Sequence, residues 1–173
     1  LQLCVDMVEQ PDLMDRLFDQ TVEVVRTIHD ELSKASDRPG LPATLQSDFC
    51  CLVGPEMFRR WILPALIAEA EIVGDSIFHW DGPDAVKHLD DLATIKGIYA
   101  VAYVPGAGRG EHTDYMELYR QVQSRGMGVC VSGSPDDLKW MHGQLNPAKT
   151  IFHCGVSSPD EGMALIEWFE RNT

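Results

Sequence analysis

The sequence predicts an α/β fold in which about five parallel strands alternate with helices. Three observations carry that expectation. Short apolar runs recur between longer segments with helical spacing. No two of these runs are joined by a hairpin turn, the connection that antiparallel neighbours use and parallel ones cannot. Gly-Pro and Pro-Gly pairs, at Gly82-Pro83 and Pro105-Gly106, mark ends of strands.

Taken in order, Asp12 to about Lys34 places Leu13, Leu17, Phe18, Val22, Val25, Ile28 and Leu32 at helical spacing, a long amphipathic helix with Pro11 at its start. Ser36 through Pro42 reads as a loop. Ala43 to Ser47 reads as a short strand, which leaves Asp48, Phe49, Cys50 and Cys51 on the loop after it. A helix follows from Pro55 to about Val73, and Pro64 inside it predicts a kink, since an interior proline costs about 3 kcal/mol in an ordinary helix. Ser76 to Phe78 is a brief strand, and Pro83 to Thr94 a helix with Ala85, Val86, Leu89 and Leu92 inward. Ile98 to Val104 is a strand, closed by Pro105 to Gly108. Glu111 to Ser124 is a helix, Gly128 to Ser132 a strand, and Pro135 to Gln144 a helix with Asp136 and Asp137 favourably placed in its first turn. Thr150 to Cys154 is the last strand. The last helix starts at Ser158, which forms a capping box with Glu161, and turns Met163, Leu165, Ile166 and Phe169 inward.

The totals bound the partners. A chain of 173 residues with 45% apolar content fits one domain, residues 1–173, without linker or repeat. A net charge of −13 disfavours nucleic acid and anionic membranes and favours a small molecule or a protein as partner. Five cysteines without a CxxC pair argue against a disulfide framework or zinc knuckle and for a reducing cytosol. No apolar run approaches the roughly 18 residues of a membrane span. The chain starts at Leu1 rather than Met, which fits a fragment or a processed chain.

The chemistry concentrates at Ser76-Ile77-Phe78-His79-Trp80-Asp81-Gly82-Pro83. His79 and Asp81 alternate around Trp80, so both side chains point to one side of an extended segment. They sit at a strand's carboxyl end, where parallel α/β folds bind ligands. A histidine and a carboxylate aimed together suit metal ligation or proton transfer. Asp48, after the preceding strand, is placed to hydrogen-bond substrate or His79. The bland alternative is a His79–Asp81 pair that orients a loop, with Asp81 capping the helix from Pro83. His153 alternates to the opposite face and reads as structural. Pro105 to Gly110 lacks the lysine and spacing of a phosphate-binding loop and reads as a lid or substrate wall.

In this order the motifs resemble the uroporphyrinogen decarboxylase superfamily, which contains decarboxylases and cobalamin-dependent methyltransferases. Gly54-Pro55-Glu56-Met57-Phe58 through Ile62-Leu63-Pro64 is similar to the family's Pro-Glu-x-Phe and Leu-Pro helix. Phe78-His79-Trp80-Asp81-Gly82 is similar to its strand ending in His-x-Cys-Gly or His-x-Asp-Gly. The likeness runs from Asp12 to Phe169 and implies the carboxyl-terminal part of a (β/α)8 barrel of TIM type. In the methyltransferase branch zinc is held by a His-x-Cys pair and a distant Cys, and the methyl group arrives on a corrinoid carried by a partner protein. Carried over, His79, Asp81 and Cys154 would hold the metal, with Asp81 in place of the family's first Cys. A zinc-dependent, corrinoid-linked methyltransferase is the expected activity, with Asp48, His79 and Asp81 catalytic. A porphyrinogen-type decarboxylase is the runner-up, although the family's arginine-rich amino-terminal segment and essential Asp lie before the part matched here. A third expectation is physical: five strands do not close an eight-stranded barrel, so a homodimer partner or a missing amino-terminal segment would have to complete it.

Overall fold

The amphipathic spacing after Pro11 becomes the long helix α2 (Pro11–Ala35), preceded by a short helix α1 (Gln2–Glu9) that the sequence reading left unassigned. The computed structural model describes residues 2–35 and 43–173, so the expected loop at Ser36 to Pro42 lies outside the described residues. Five strands follow: β1 (Ala43–Gln46), β2 (Ser76–Asp81), β3 (Ile98–Val104), β4 (Gly128–Ser132) and β5 (Thr150–His153). All four pairings are parallel and the spatial order is β1-β2-β3-β4-β5. This is an α/β sheet of partial TIM-barrel type. Consecutive order has a consequence for the layers: every crossover steps the same way, and right-handed crossovers then put all connecting helices on one face.

Those connecting helices are α4 (Leu63–Val73), α5 (Leu89–Leu92), α6 (Met116–Ser124) and α7 (Pro135–His142), and α8 (Pro159–Asn172) follows β5. The core lies between them and one face of the sheet. Phe78, Trp80, Val101, Tyr103, Val129 and Val131 from the strands pack with Leu66, Leu92, Tyr119, Val122 and Met141 from the helices. Trp80 meets Tyr103 edge to face at 5.5 Å, and its Nε1 donates to the Ala85 carbonyl at 3.2 Å, which satisfies the one polar atom of a fully buried indole. Outside this layer, α2 packs on α4, fastened where Trp61 Nε1 and Arg60 donate to the Asp15 carboxylate at 2.6 and 3.1 Å. Hydrogen bonds from Arg60 and Trp61 hold that carboxyl below its usual pKa.

Several elements differ from their sequence reading for identifiable reasons. The helix expected over Pro55 to Val73 opens as α3 (Pro55–Met57), widens into a π turn over Phe58–Ile62, and resumes as α4. Leu63 N–H donates to the Phe58 carbonyl five residues back, so the widened turn sits directly before the proline that lacks an N–H. Pro83 to Thr94 is a 3-10 segment (Pro83–His88) leading into only one turn of α5. In α8, Leu165 is buried, but Met163 and Ile166 are exposed rather than inward. In β3 the register shifts between Ser76 and Ile77, so Ile98 pairs with Ser76 while Ala100 pairs with Ile77. That bulge at Tyr99 changes which side the rest of β3 presents.

Candidate site at the carboxyl ends of the strands

Alternation along β2 sorts its residues: Ser76, Phe78 and Trp80 are buried against the helices, and Ile77, His79 and Asp81 are half-buried on the other face. The pairing register extends that face across the sheet. Gln46, His79, Ala102, Cys130 and Ile151 form one row, one residue from each strand. Toward the carboxyl end, Asp81 pairs with Val104, and Ser132 with His153. Small residues (Ala100, Ala102 and Gly128) floor the centre, so the polar side chains stand above it. Glycine fits at 128 because a Cβ there would meet the Ala100 side chain at 3.3 Å and the Lys149 carbonyl oxygen at 3.0 Å.

The segments leaving β1 and β2 are fastened to each other. Asp48–Leu52 forms a 3-10 turn rather than an open loop, and its Cys51 lies over Gly82, 3.6 Å from where a Cβ would stand. Gly82 has φ +81, a conformation that glycine adopts without strain, and it lets the chain turn directly after Asp81. His88, fully buried, stacks on Phe58 at 4.0 Å. Its Nε2 donates to the carbonyls of Cys50 and Val53 at 3.0 and 3.3 Å. Lys87 Nζ donates to the Cys51 carbonyl at 3.3 Å. Burial pushes the Cys50 thiol up to about 12, and Asp48 and Asp81 both add to the rise. Both carboxylates thus lie at adjacent strand ends, Asp48 on the turn after β1 and Asp81 at the end of β2. The turn after Gly82 has no side-chain cap, so Asp81 is not spent on capping.

The loop after β3, Pro105 to Gly110, read from the sequence as a lid or substrate wall, leaves the carboxyl end of that strand, whose Tyr103 is buried on the helix side. Burial raises the Tyr103 hydroxyl, Asp81 adds to the rise and Arg109 opposes it, so both charges lie near that ring. Tyr115 donates its hydroxyl to the Arg109 carbonyl, tying down the glycine-rich loop, whose next element is a 3-10 turn (His112–Tyr115) rather than a helix. Burial lowers His112, and nearby His153 lowers it further. Only the register reveals His153 as a member of this face.

Phe152 faces the helices, and Cys154 follows β5 packed against the core, while His153 takes the side that the sequence reading had given to Cys154. β2 and β5 are three strand spacings apart, about 14 Å in the sheet. Among the described residues no group of three or more His, Cys, Asp or Glu side chains is placed to hold a metal ion. The set His79, Asp81 and Cys154 thus does not fit zinc, although His79, Asp81 and Asp48 do share one end of the sheet. All five cysteines are free. Among the described residues, no helix is long and apolar enough to cross a membrane. Comparison with known protein families finds no match, and comparison with curated proteins finds no relative.

Proposed function

We propose that the carboxyl end of β2 is an acid–base site for a small molecule, in a TIM-barrel-like enzyme whose reaction is a lyase-type proton transfer. The single observation that supports it is the pairing of His79 and Asp81, half-buried, on the face that the helices leave uncovered. In this reading His79 moves the proton, and Asp81, on the same face two residues on, holds the substrate or its proton beside it. Asp48, exposed on the neighbouring turn, contacts substrate. Lys87, which donates to the Cys51 carbonyl, and Arg109, on the loop after β3, are the positive charges offered to a carboxylate on that substrate. The decarboxylase side of the sequence resemblance agrees with this chemistry. Zinc-assisted methyl transfer from a corrinoid partner is less well supported, because the third ligand does not join the other two, and no step is assigned to either group. Five free cysteines suit a reducing compartment such as the cytoplasm.

The test uses a panel of carboxylate-bearing carbon acids in deuterated water, with deuterium uptake at carbon followed by NMR. Wild-type protein should exchange at least one compound, and His79→Ala and Asp81→Asn should each slow that exchange at least a hundredfold. Exchange that survives both variants, or that a zinc chelator abolishes, would overturn the assignment.

A further inference from the structure

Helix α6 buries the whole of Tyr119, whose hydroxyl meets His112 Nδ1 at 2.5 Å with the two rings stacked at 5.9 Å. The phenol has no other partner among the described residues, so a donating Nδ1–H would leave the phenol's own hydrogen buried and unmatched. Tyr119 therefore donates, Nδ1 accepts, and neutral His112 carries its one proton on Nε2. Burial raises the Tyr119 pKa, and Tyr103, Tyr115 and Cys130 around it add to the rise, so the phenol keeps its proton. Burial also lowers His112; Glu111 on the same segment opposes that, and His153 from β5 adds to it.

We propose that this hydrogen bond is a pH-sensitive latch for the loop at residues 105–110, closed while His112 is neutral and released when Nδ1 takes a proton. His112 opens the 3-10 turn directly after the loop. Among the described residues, the other side-chain hydrogen bonds of this segment close within it, from the Tyr115 hydroxyl to the Arg109 carbonyl and from the Glu111 N–H to the Asp114 carboxylate. The Tyr119 bond instead fastens the segment to the buried side of α6. A proton on Nδ1 sets N–H against O–H, and the buried phenol has no second acceptor to turn to, so the imidazolium swings out toward water. Gly106 and Gly110, at φ +92 and +100, bracket the loop and let the backbone follow. The loop begins beside Asp81, which pairs with Val104 at the end of β3, so its release widens access to the carboxyl end of β2. The latch is independent of the chemistry assigned to His79.

Two measurements on the full chain test it: the tautomer and titration of His112 by nitrogen-edited NMR, and hydrogen exchange of the loop amides on either side of the His112 midpoint, corrected for intrinsic rates. The wild type should show the Nε2–H tautomer, a midpoint below about pH 6.5, and loop protection that falls at least about tenfold on acidification with circular dichroism unchanged. Tyr119→Phe keeps the ring without the hydroxyl, so it should raise the His112 pKa and leave the loop poorly protected at both pH values. His112→Asn offers a neutral acceptor at every pH and should keep the loop protected throughout; it decides the matter if Tyr119→Phe does not fold. An Nδ1–H tautomer, wild-type protection that does not change across the midpoint, a His112 pKa unmoved in Tyr119→Phe, or a pH step that persists in His112→Asn would each overturn the proposal.

Discussion

Substituting Phe for His88 isolates the hydrogen bonds that hold the Asp48–Leu52 turn over β2. The ring is fully buried and stacked on Phe58, so phenylalanine keeps the volume and the stack while removing the Nε2 donor. The carbonyls of Cys50 and Val53 lose their side-chain partner. Stranding a buried acceptor costs about 1–3 kcal/mol, and in a chain of this size that corresponds to a fall of about 2–12 °C in Tm. His88→Ala adds a cavity and should cost more, about 3–5 kcal/mol. The pH dependence supplies a second reading. Nδ1 is buried without a partner, and burial lowers the His88 pKa. Between that lowered value and the ordinary value of about 6.5, the unfolded chain binds a proton that the folded chain refuses. Stability is therefore present above about pH 6.5 and is lost as pH falls, by at most about 1.4 kcal/mol per pH unit for this group. His112, also lowered by burial, adds to the slope and is unaffected by the substitution. Guanidinium unfolding on either side of about pH 6.5 should show the His88→Phe variant weaker at the higher pH and less steep below it. Equal stability at neutral pH together with an unchanged acid slope would refute the role given to His88.

Three further outcomes test the frame of the site. Trp80→Phe removes the donation to the Ala85 carbonyl and shrinks a fully buried side chain, so thermal unfolding should show a loss of about 1–3 kcal/mol; a smaller loss would mean that the indole is not a core anchor. Gly128→Val would push a Cβ to 3.0 Å from the Lys149 carbonyl oxygen and 3.3 Å from the Tyr99 carbonyl oxygen, so denaturant melts should register at least about 1–3 kcal/mol of destabilisation, and a neutral variant would contradict the close β3–β4 approach. Cys50, buried and with its thiol pushed up to about 12, should resist iodoacetamide in the native protein while half-buried Cys51 reacts; peptide mass spectrometry showing equal labelling of both would overturn the packing described here.

The order of elements was legible because each strand is a short apolar run and each connection is long, features that a linear pattern carries without knowledge of contacts. The register was not. Tyr99 and Ala100 look like consecutive members of an alternating strand, yet the bulge beside Ser76 puts Ile98, Val101 and Tyr103 on the helix side and Ala100 and Ala102 on the other. Which phase a strand adopts depends on its neighbour, and a slip of one residue exchanges its faces. The 3-10 segment at Pro83–His88 was similarly hidden, since its apolar residues fit an α-helix equally well; what selects it is His88 reaching back to Cys50 and Val53, a contact spanning more than thirty residues of sequence.

The same reasoning explains the uneven legibility of the site. His79 and Asp81 lie on one strand, so alternation alone places them together, and the structure keeps them on one face. Asp48 needed only the next strand to be parallel, which the missing hairpin turns already implied. Cys154 needed a phase relation carried across β3 and β4, through the bulge, to a strand that ends at His153. Sequence spacing along the chain says nothing about that phase, and the β5 residue that pairs with Ser132 at this end of the sheet is His153, immediately before Cys154. Because the register links His79 to Ile151 by one unbroken row, the chemistry of this face reaches from β1 to β5, and the polar groups above it divide in two. Asp48, His79 and Asp81 lie at the carboxyl ends of β1 and β2, while Ser132 and His153 pair at those of β4 and β5. A molecule in reach of both groups would have to span about 10–14 Å of sheet, so a small molecule held at His79 and Asp81 would not touch Ser132 or His153.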